Sequence, residues 1–194
     1  MTNAFGGTWD NEKCFNHEHS LGINLDNESY VNLFRETAKE IMSITNAKTF
    51  LDCGGGMGAY TLAMIEMGAN CTYVDLNEHH VEYVGKRLKP IHDAQTLQMY
   101  HNDFTACKYK KFDVVASIEV MEHIPDAMLI PFLKNIKCDY FHFSSTPHWT
   151  DNDKEWGHIN IKSEQEWVEL FEKCGFIYWQ KIAHPTPWSL LFTK

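Results

Sequence analysis

The chain has 194 residues, 44% hydrophobic and 13% aromatic, which is enough apolar material for one core and one domain. A formal net charge of -9 and a pI near 5.6 weigh against a general nucleic-acid binder, which needs a basic face, and no run approaches the roughly 18 apolar residues of a membrane span. The six cysteines (Cys14, Cys53, Cys71, Cys107, Cys138 and Cys174) form no CxxC pair and no leader is legible ahead of them, so reduced thiols and a soluble, cytoplasmic protein are expected.

Residues 1–28 are polar, with Trp9, Phe15 and several histidines among asparagines, and read as an arm that is either disordered or a lid. A single domain is expected over 29–194. It opens with a helix over Ser29–Ser43, where Tyr30, Leu33, Phe34, Thr37, Ala38 and Ile41 fall at helical spacing behind an N-cap at Ser29. From Thr49 on, short apolar runs alternate with amphipathic ones. TFLDC precedes YTLAMIEMG, CTYVD precedes EHHVEYVGKRL, and TLQMY leads through a loop to FDVVASI and DAMLIPFLKNI. YFHFSS then precedes SEQEWVELFEKCGF. Strands alternating with helices mean βαβ units and a mostly parallel sheet. Phe176–Ala183 and Ser189–Thr193, separated by Pro185 and Pro187, read as a hairpin on its edge, giving an α/β, Rossmann-like doubly wound sheet of about seven strands.

FLDCGGGMGAYTL runs strand, glycine turn, helix. Glycines permit positive φ and close backbone approach, while the helix N-terminus offers free N–H groups, so this is a cofactor seat. Gly54-x-Gly56-x-x-Ala59, with Asp75 further on, also fits a dinucleotide fingerprint. Three details point away from it. Asp52, just before the glycines, suits the ammonium of a methionine-type ligand. Gly58 completes D-x-G-x-G-x-G. Asp103, in HNDF, can accept from an adenine amino group while Phe104 packs on the ring.

In order, these segments resemble the class I S-adenosylmethionine-dependent methyltransferases over Thr49–Lys194. The resemblance implies that Asp52, Gly54, Gly56, Gly58, Asp75 with the adjoining Leu76, Asp103, Phe104 and Glu119 bind the cofactor. SIEVMEHIP and STPHW...WGHINIKSEQEWVELFEKCGF are similar to the branch containing ubiquinone-pathway O-methyltransferases and small-RNA 2′-O-methyltransferases.

In EVMEHIP, a helical turn would set Glu119, Glu122 and His123 on one face at i, i+3 and i+4, a donor set that suits Mg²⁺ or Mn²⁺. The resemblance to the RNA-methylating relatives adds a later histidine to the set, His158 in WGHIN. His148 in STPHW is the competitor and a candidate general base or substrate contact. Trp149, Trp156 and His148, with Trp9 and Phe15 of the arm, are candidate roof residues or core. The expected activity is metal-assisted O-methylation of a small molecule by a monomer or homodimer, with RNA 2′-O-methylation as the alternative. An NAD-dependent oxidoreductase and a non-catalytic cofactor-binding module are the rivals of other classes.

Overall fold

The computed structural model describes residues 7–148 and 153–194, so Trp149 lies outside the described residues. Five parallel strands form first: β1 (Thr49–Cys53), β2 (Asn70–Asp75), β3 (Leu97–His101), β4 (Phe112–Ile118) and β5 (Cys138–Ser144). β6 (Ile177–Lys181) and β7 (Leu190–Thr193) join antiparallel, giving the seven-stranded order β3-β2-β1-β4-β5-β7-β6. The expected doubly wound sheet and its edge hairpin are both present.

The helices are α1 (Asn11–Ser20), α2 (Glu28–Thr45), α3 (Ala59–Glu66), α4 (Glu78–Leu88), α5 (Asp126–Asn135), α6 (Asp153–Trp156) and α7 (Glu164–Lys173). Successive strand side chains point to opposite faces, and here both faces are buried, which explains the continuous apolar runs. Phe50, Val114 and Leu191 pack on one face with α2, α3 and α4 through Ile41, Met64 and Val84. Leu51, Val115 and Phe141 pack on the other with α5 and α7 through Phe132, Trp167 and Phe171. No helix among the described residues is long and apolar enough to cross a membrane.

One local expectation changes. The cap of α2 is Asn27, two residues before the expected Ser29, and its side chain accepts from the Ser29 amide at 3.1 Å. The described part of the arm is folded: Asp10 caps α1 by accepting from the Lys13 amide at 2.9 Å, and α1 lies against α4.

The order of strands reverses between β1 and β4. In such sheets the carboxyl ends of the strands at the reversal open a crevice. Here that crevice collects the glycine turn after β1, Asp75 at the end of β2, Asp103 after β3 and Glu119 after β4.

Candidate functional site

The turn after β1 takes left-handed backbone at Gly54, Gly56 and Gly58. The three glycines serve different purposes. A Cβ on Gly56 would meet nothing within 4 Å, so its bare face opens into the crevice. A Cβ on Gly58 would stand 2.8 Å from the Val84 methyls, so this glycine lets α3 close on α4, and it does not line the cavity. A Cβ on Gly54 would meet Val120 at 2.7 Å, which sets the turn against the segment after β4.

The acids are tied into the same turn. Asp75 is buried; its Oδ2 accepts from the Gly56 amide and its Oδ1 from the Asn77 amide, each at 2.8 Å. Burial pushes its carboxyl up, but the facing His80 and these backbone donors outweigh it and hold the group below the ordinary range. Asp52 is also buried and accepts from Thr61 Oγ1 at 2.7 Å. There burial dominates the Thr61 bond and pushes the carboxyl up to about 7. Asp103 caps a short 3-10 turn, accepting from the Thr105 amide at 2.8 Å and the Thr105 hydroxyl at 2.7 Å. Phe104 is buried beside it, and the Leu76 carbonyl accepts from His101 Nε2 at 3.0 Å.

Together these groups wall a cavity of about 710 Å³, within the usual range of about 300–1,000 Å³ for ligand sites. Asp52, Gly54, Gly56, Asp75, Leu76, Asp103, Phe104 and Glu119 all line it, as do Glu122, His123 and His158. So do groups the sequence did not mark as site residues: Glu18 of α1, Tyr30 and Phe34 of α2, Tyr60 of α3, His80 of α4, and Trp188. Only the run NEHH directly after the strand-ending acid hinted at His80; nothing local marked Glu18 or Trp188. Among the described residues, no lysine or arginine lines the cavity.

EVMEHIP departs from the expected α-helical turn. Glu119 has φ of 54°, and only Met121–His123 turns, as a 3-10 helix. The Glu119 carboxylate is consequently led away from the others. Its Oε1 accepts from Trp188 Nε1 at 2.8 Å and from the Ser144 hydroxyl. Glu122, His123 and His158 do converge: one ligand atom from each lies within 4.8 Å of the others, and Glu119 is outside this group. A carboxylate with two imidazoles at that spacing fits one divalent ion.

The convergence has a backbone cause. The carbonyl of Glu122 accepts from the amides of Ile159 at 2.9 Å and Asn160 at 2.8 Å, so the loop carrying His158 is clipped to the turn carrying Glu122 and His123. Asn160 Nδ2 adds bonds to the Ile124 carbonyl at 2.7 Å and to Asp126 at 2.9 Å. His148 goes elsewhere. It is exposed, does not line the cavity, and sets its ring edge-on to Trp188 at 5.9 Å. Of the candidate roof residues, Trp9 and Trp156 meet at 5.8 Å, and Phe15 packs against His80 and Tyr83.

Residues 50–138, from β1 to the start of β5, match a methyltransferase domain family. The ubiquinone biosynthesis O-methyltransferase of Actinobacillus pleuropneumoniae serotype 7 (strain AP76) is 32% identical over 88 residues, 43% of this chain and 38% of that protein. The chain thus matches well under half the length of this curated relative. Magnesium protoporphyrin IX methyltransferase from Synechocystis PCC 6803, solved with bound SAH, superposes with a TM-score of 0.68 at 14% identity, over 95% of this chain and 99% of that one. Over residues 50–138 the chain is similar to methyltransferase domains, and its fold is that of solved methyltransferases. The methyltransferase domain of bacterial CtHen1 is similar in fold, with a TM-score of 0.61 at 22% identity, over 84% of this chain and all of that one. The matched segment begins after α1 and α2 and ends before α6 and α7, so the parts of the cavity wall built from α1, α2, His158 and Trp188 lie outside the matched residues.

Proposed function

We propose that the protein transfers the methyl group of S-adenosylmethionine to a hydroxyl oxygen of a small, uncharged molecule, with a divalent ion held by Glu122, His123 and His158. The observation that carries the choice of acceptor is the charge of the cavity. Glu18, Asp52, Asp75, Asp103, Glu119 and Glu122 line it, and among the described residues no lysine or arginine does. A phosphate chain entering such a wall faces six carboxylates and no basic groove that could track a backbone, which disfavours RNA.

The roles follow from position. Asp52 is set to face the cofactor ammonium, Asp75 the ribose hydroxyls, and Asp103 with Phe104 the adenine, which leaves the methyl pointing toward the segment after β4. There the acceptor oxygen donates its lone pair to the methyl carbon, the carbon–sulfur bond breaks, its electron pair stays on sulfur, and the hydroxyl proton passes to water. The protein's main task is to hold the two reactants in line. A divalent ion at the three-residue site would polarise the acceptor oxygen and ease loss of its proton. Tyr30, Phe34 and Trp188 supply apolar wall for the rest of the acceptor.

The test is methyl transfer from labelled S-adenosylmethionine to a panel of phenols and sugars and to RNA oligonucleotides, with EDTA and with added Mn²⁺. Transfer to a neutral hydroxyl compound that stops in EDTA and returns with Mn²⁺ is expected. Transfer to RNA alone would overturn the acceptor class, and full activity in EDTA would overturn the ion.

A further inference from the structure

Helix α1 roofs the end of the cavity that faces Asp75. Asn11, Cys14, His17 and Glu18 of α1 line the cavity together with Gly56 and Asp75, so a ligand seated on Gly56 and Asp75 lies in a cavity that α1 helps enclose. The cover is held from outside the core. None of the α1 residues is fully buried, so no part of the core pins the helix down. Its ring contacts include Phe15 with His79, His80 and Tyr83, His19 with Tyr83 and His17 with Trp156, and Asn24 Nδ2 donates to the His19 carbonyl at 3.3 Å. Asn77 Nδ2 donates to the Asn11 carbonyl at 2.9 Å and Asn11 Nδ2 donates to Glu78 at 2.7 Å. His80, buried on α4, ties α1 to the floor as well. Its Nε2 lies 2.7 Å from Glu18 Oε2 and its Nδ1 lies 3.4 Å from Asp75 Oδ1.

This bridge joins a residue of the roof to a residue of the floor. Burial pushes the His80 imidazole down, but Asp75 and Glu18 outweigh it and raise it to about 10, so the ring stays a cation through the neutral range and the bridge stays charged. Behind α1 the chain has a pivot and then an anchor. Gly22 is left-handed at φ of 77°, and a Cβ there would strike Asn27 Nδ2 at 2.7 Å. Directly afterwards Leu25 is fixed through its amide to the Tyr83 hydroxyl at 2.9 Å, and Asn24 is buried. Weakly attached segments beside a ligand are the ones that open locally, and a glycine between them and a fixed point absorbs the backbone rotation.

We infer that α1 is the gate of the cofactor seat and that Glu18, bridged through His80 to Asp75, is the latch whose breaking releases the cofactor. The inference rests on the reading of this seat as the S-adenosylmethionine site. Because the latch ends on Asp75, opening the roof also loosens the floor group that faces the ribose. Entry and exit are then governed by one charged contact, while the three-residue ion site keeps its own backbone clip.

The test is the dissociation rate of S-adenosylhomocysteine from the full chain, chased with excess S-adenosylmethionine in stopped flow. Glu18→Gln keeps the size of the side chain and removes its charge. It should speed release on the order of tenfold, the loss expected for one hydrogen bond between charged groups, with little change in the melting temperature of the unliganded protein. His80→Asn should speed release as well, and the double variant should be no faster than the quicker single one, because both break the same bridge. A purely structural role would lower the melting temperature and leave the release rate alone. If His80→Asn does not fold, Glu18→Gln decides by itself, since it sits on a helix with no buried residue. An unchanged release rate in folded Glu18→Gln, with wild type binding normally, overturns the latch and spares the cofactor reading. Failure of wild type to bind either sulfur ligand overturns both.

Discussion

The side chain of Asp75 holds the backbone of Gly56: its Oδ2 accepts from the glycine amide at 2.8 Å across a sequence gap of 19 residues. One carboxylate therefore shapes the turn that seats the cofactor and faces the seat itself. Asp75→Asn should weaken S-adenosylhomocysteine binding about tenfold to a hundredfold, the loss of roughly 1.5–3 kcal/mol from hydrogen bonds to a charged acceptor. The group is held below its ordinary 3.8 in the fold, so its contribution to stability is present above that value and disappears as pH falls through the folded value. Urea unfolding should show the variant less stable than wild type at pH 7 and the gap closing on strong acidification. Equal stability at pH 7 would mean the clamp is idle.

Asp52 titrates in the opposite sense. Its folded value is raised to about 7, so the fold favours the protonated acid, and stability from this group falls as pH rises from the ordinary 3.8 through 7. Asp52→Asn keeps an acceptor for Thr61 and removes the buried charge. It should raise the melting temperature above pH 7 by a few degrees, at roughly 2–4 °C per kcal/mol for a chain of this size. A cationic ligand head beside Asp52 reverses the preference. Calorimetry should find S-adenosylhomocysteine binding to wild type tightening from pH 6 to 8, and the variant losing that dependence. A pH-independent affinity in wild type would separate Asp52 from the ammonium.

The glycines at 56 and 58 give a paired test. Gly56→Ala adds a methyl that meets no protein atom within 4 Å, at a backbone cost of about 1–2 kcal/mol for the left-handed residue. It should fold and lose cofactor binding. Gly58→Ala puts its methyl 2.8 Å from the Val84 methyls, so it should appear first as a lowered melting temperature. Normal binding by Gly56→Ala would move the cofactor off the turn.

For the ion site the informative position is a residue that is not itself a candidate ligand. Asn160→Ala removes the side-chain bonds to Ile124 and Asp126 that reinforce the clip to Glu122, and should lower Mn²⁺ affinity about tenfold to a hundredfold, as supporting contacts around metal ligands do. His158→Ala should abolish binding and His148→Ala should leave it intact. Electron paramagnetic resonance titration of free Mn²⁺ reads all three. Loss with His148→Ala and not with His158→Ala would reverse the assignment.

How much of this was legible beforehand follows from the range of the forces involved. The strands of the sheet and the helices between them were readable because burial on both faces leaves unbroken apolar runs, and burial on one face leaves a helical period. The glycine turn was readable because positive φ restricts the residue type locally. α1 was not. Its helix carries no buried residue, and what holds it is a set of side chains on α4, among them His80, which is 62 positions from Glu18.

EVMEHIP divides along the same line. That Glu119, Glu122 and His123 are close follows from the sequence alone; whether they face one point depends on one backbone angle, and that angle goes with contacts from far along the chain. Ser144 and Trp188, 25 and 69 positions away, hold the Glu119 carboxylate, and the residue sits in left-handed backbone that breaks the assumed helical period. Conversely, a histidine from a distant loop joins the cluster because two of that loop's amides find the carbonyl of Glu122. Local periodicity and conformational preference were written in neighbouring residues, so the sequence by itself determined the fold and the cofactor turn. Which carboxylate and which histidine share a site was decided by hydrogen bonds between segments that only the folded sheet brings together.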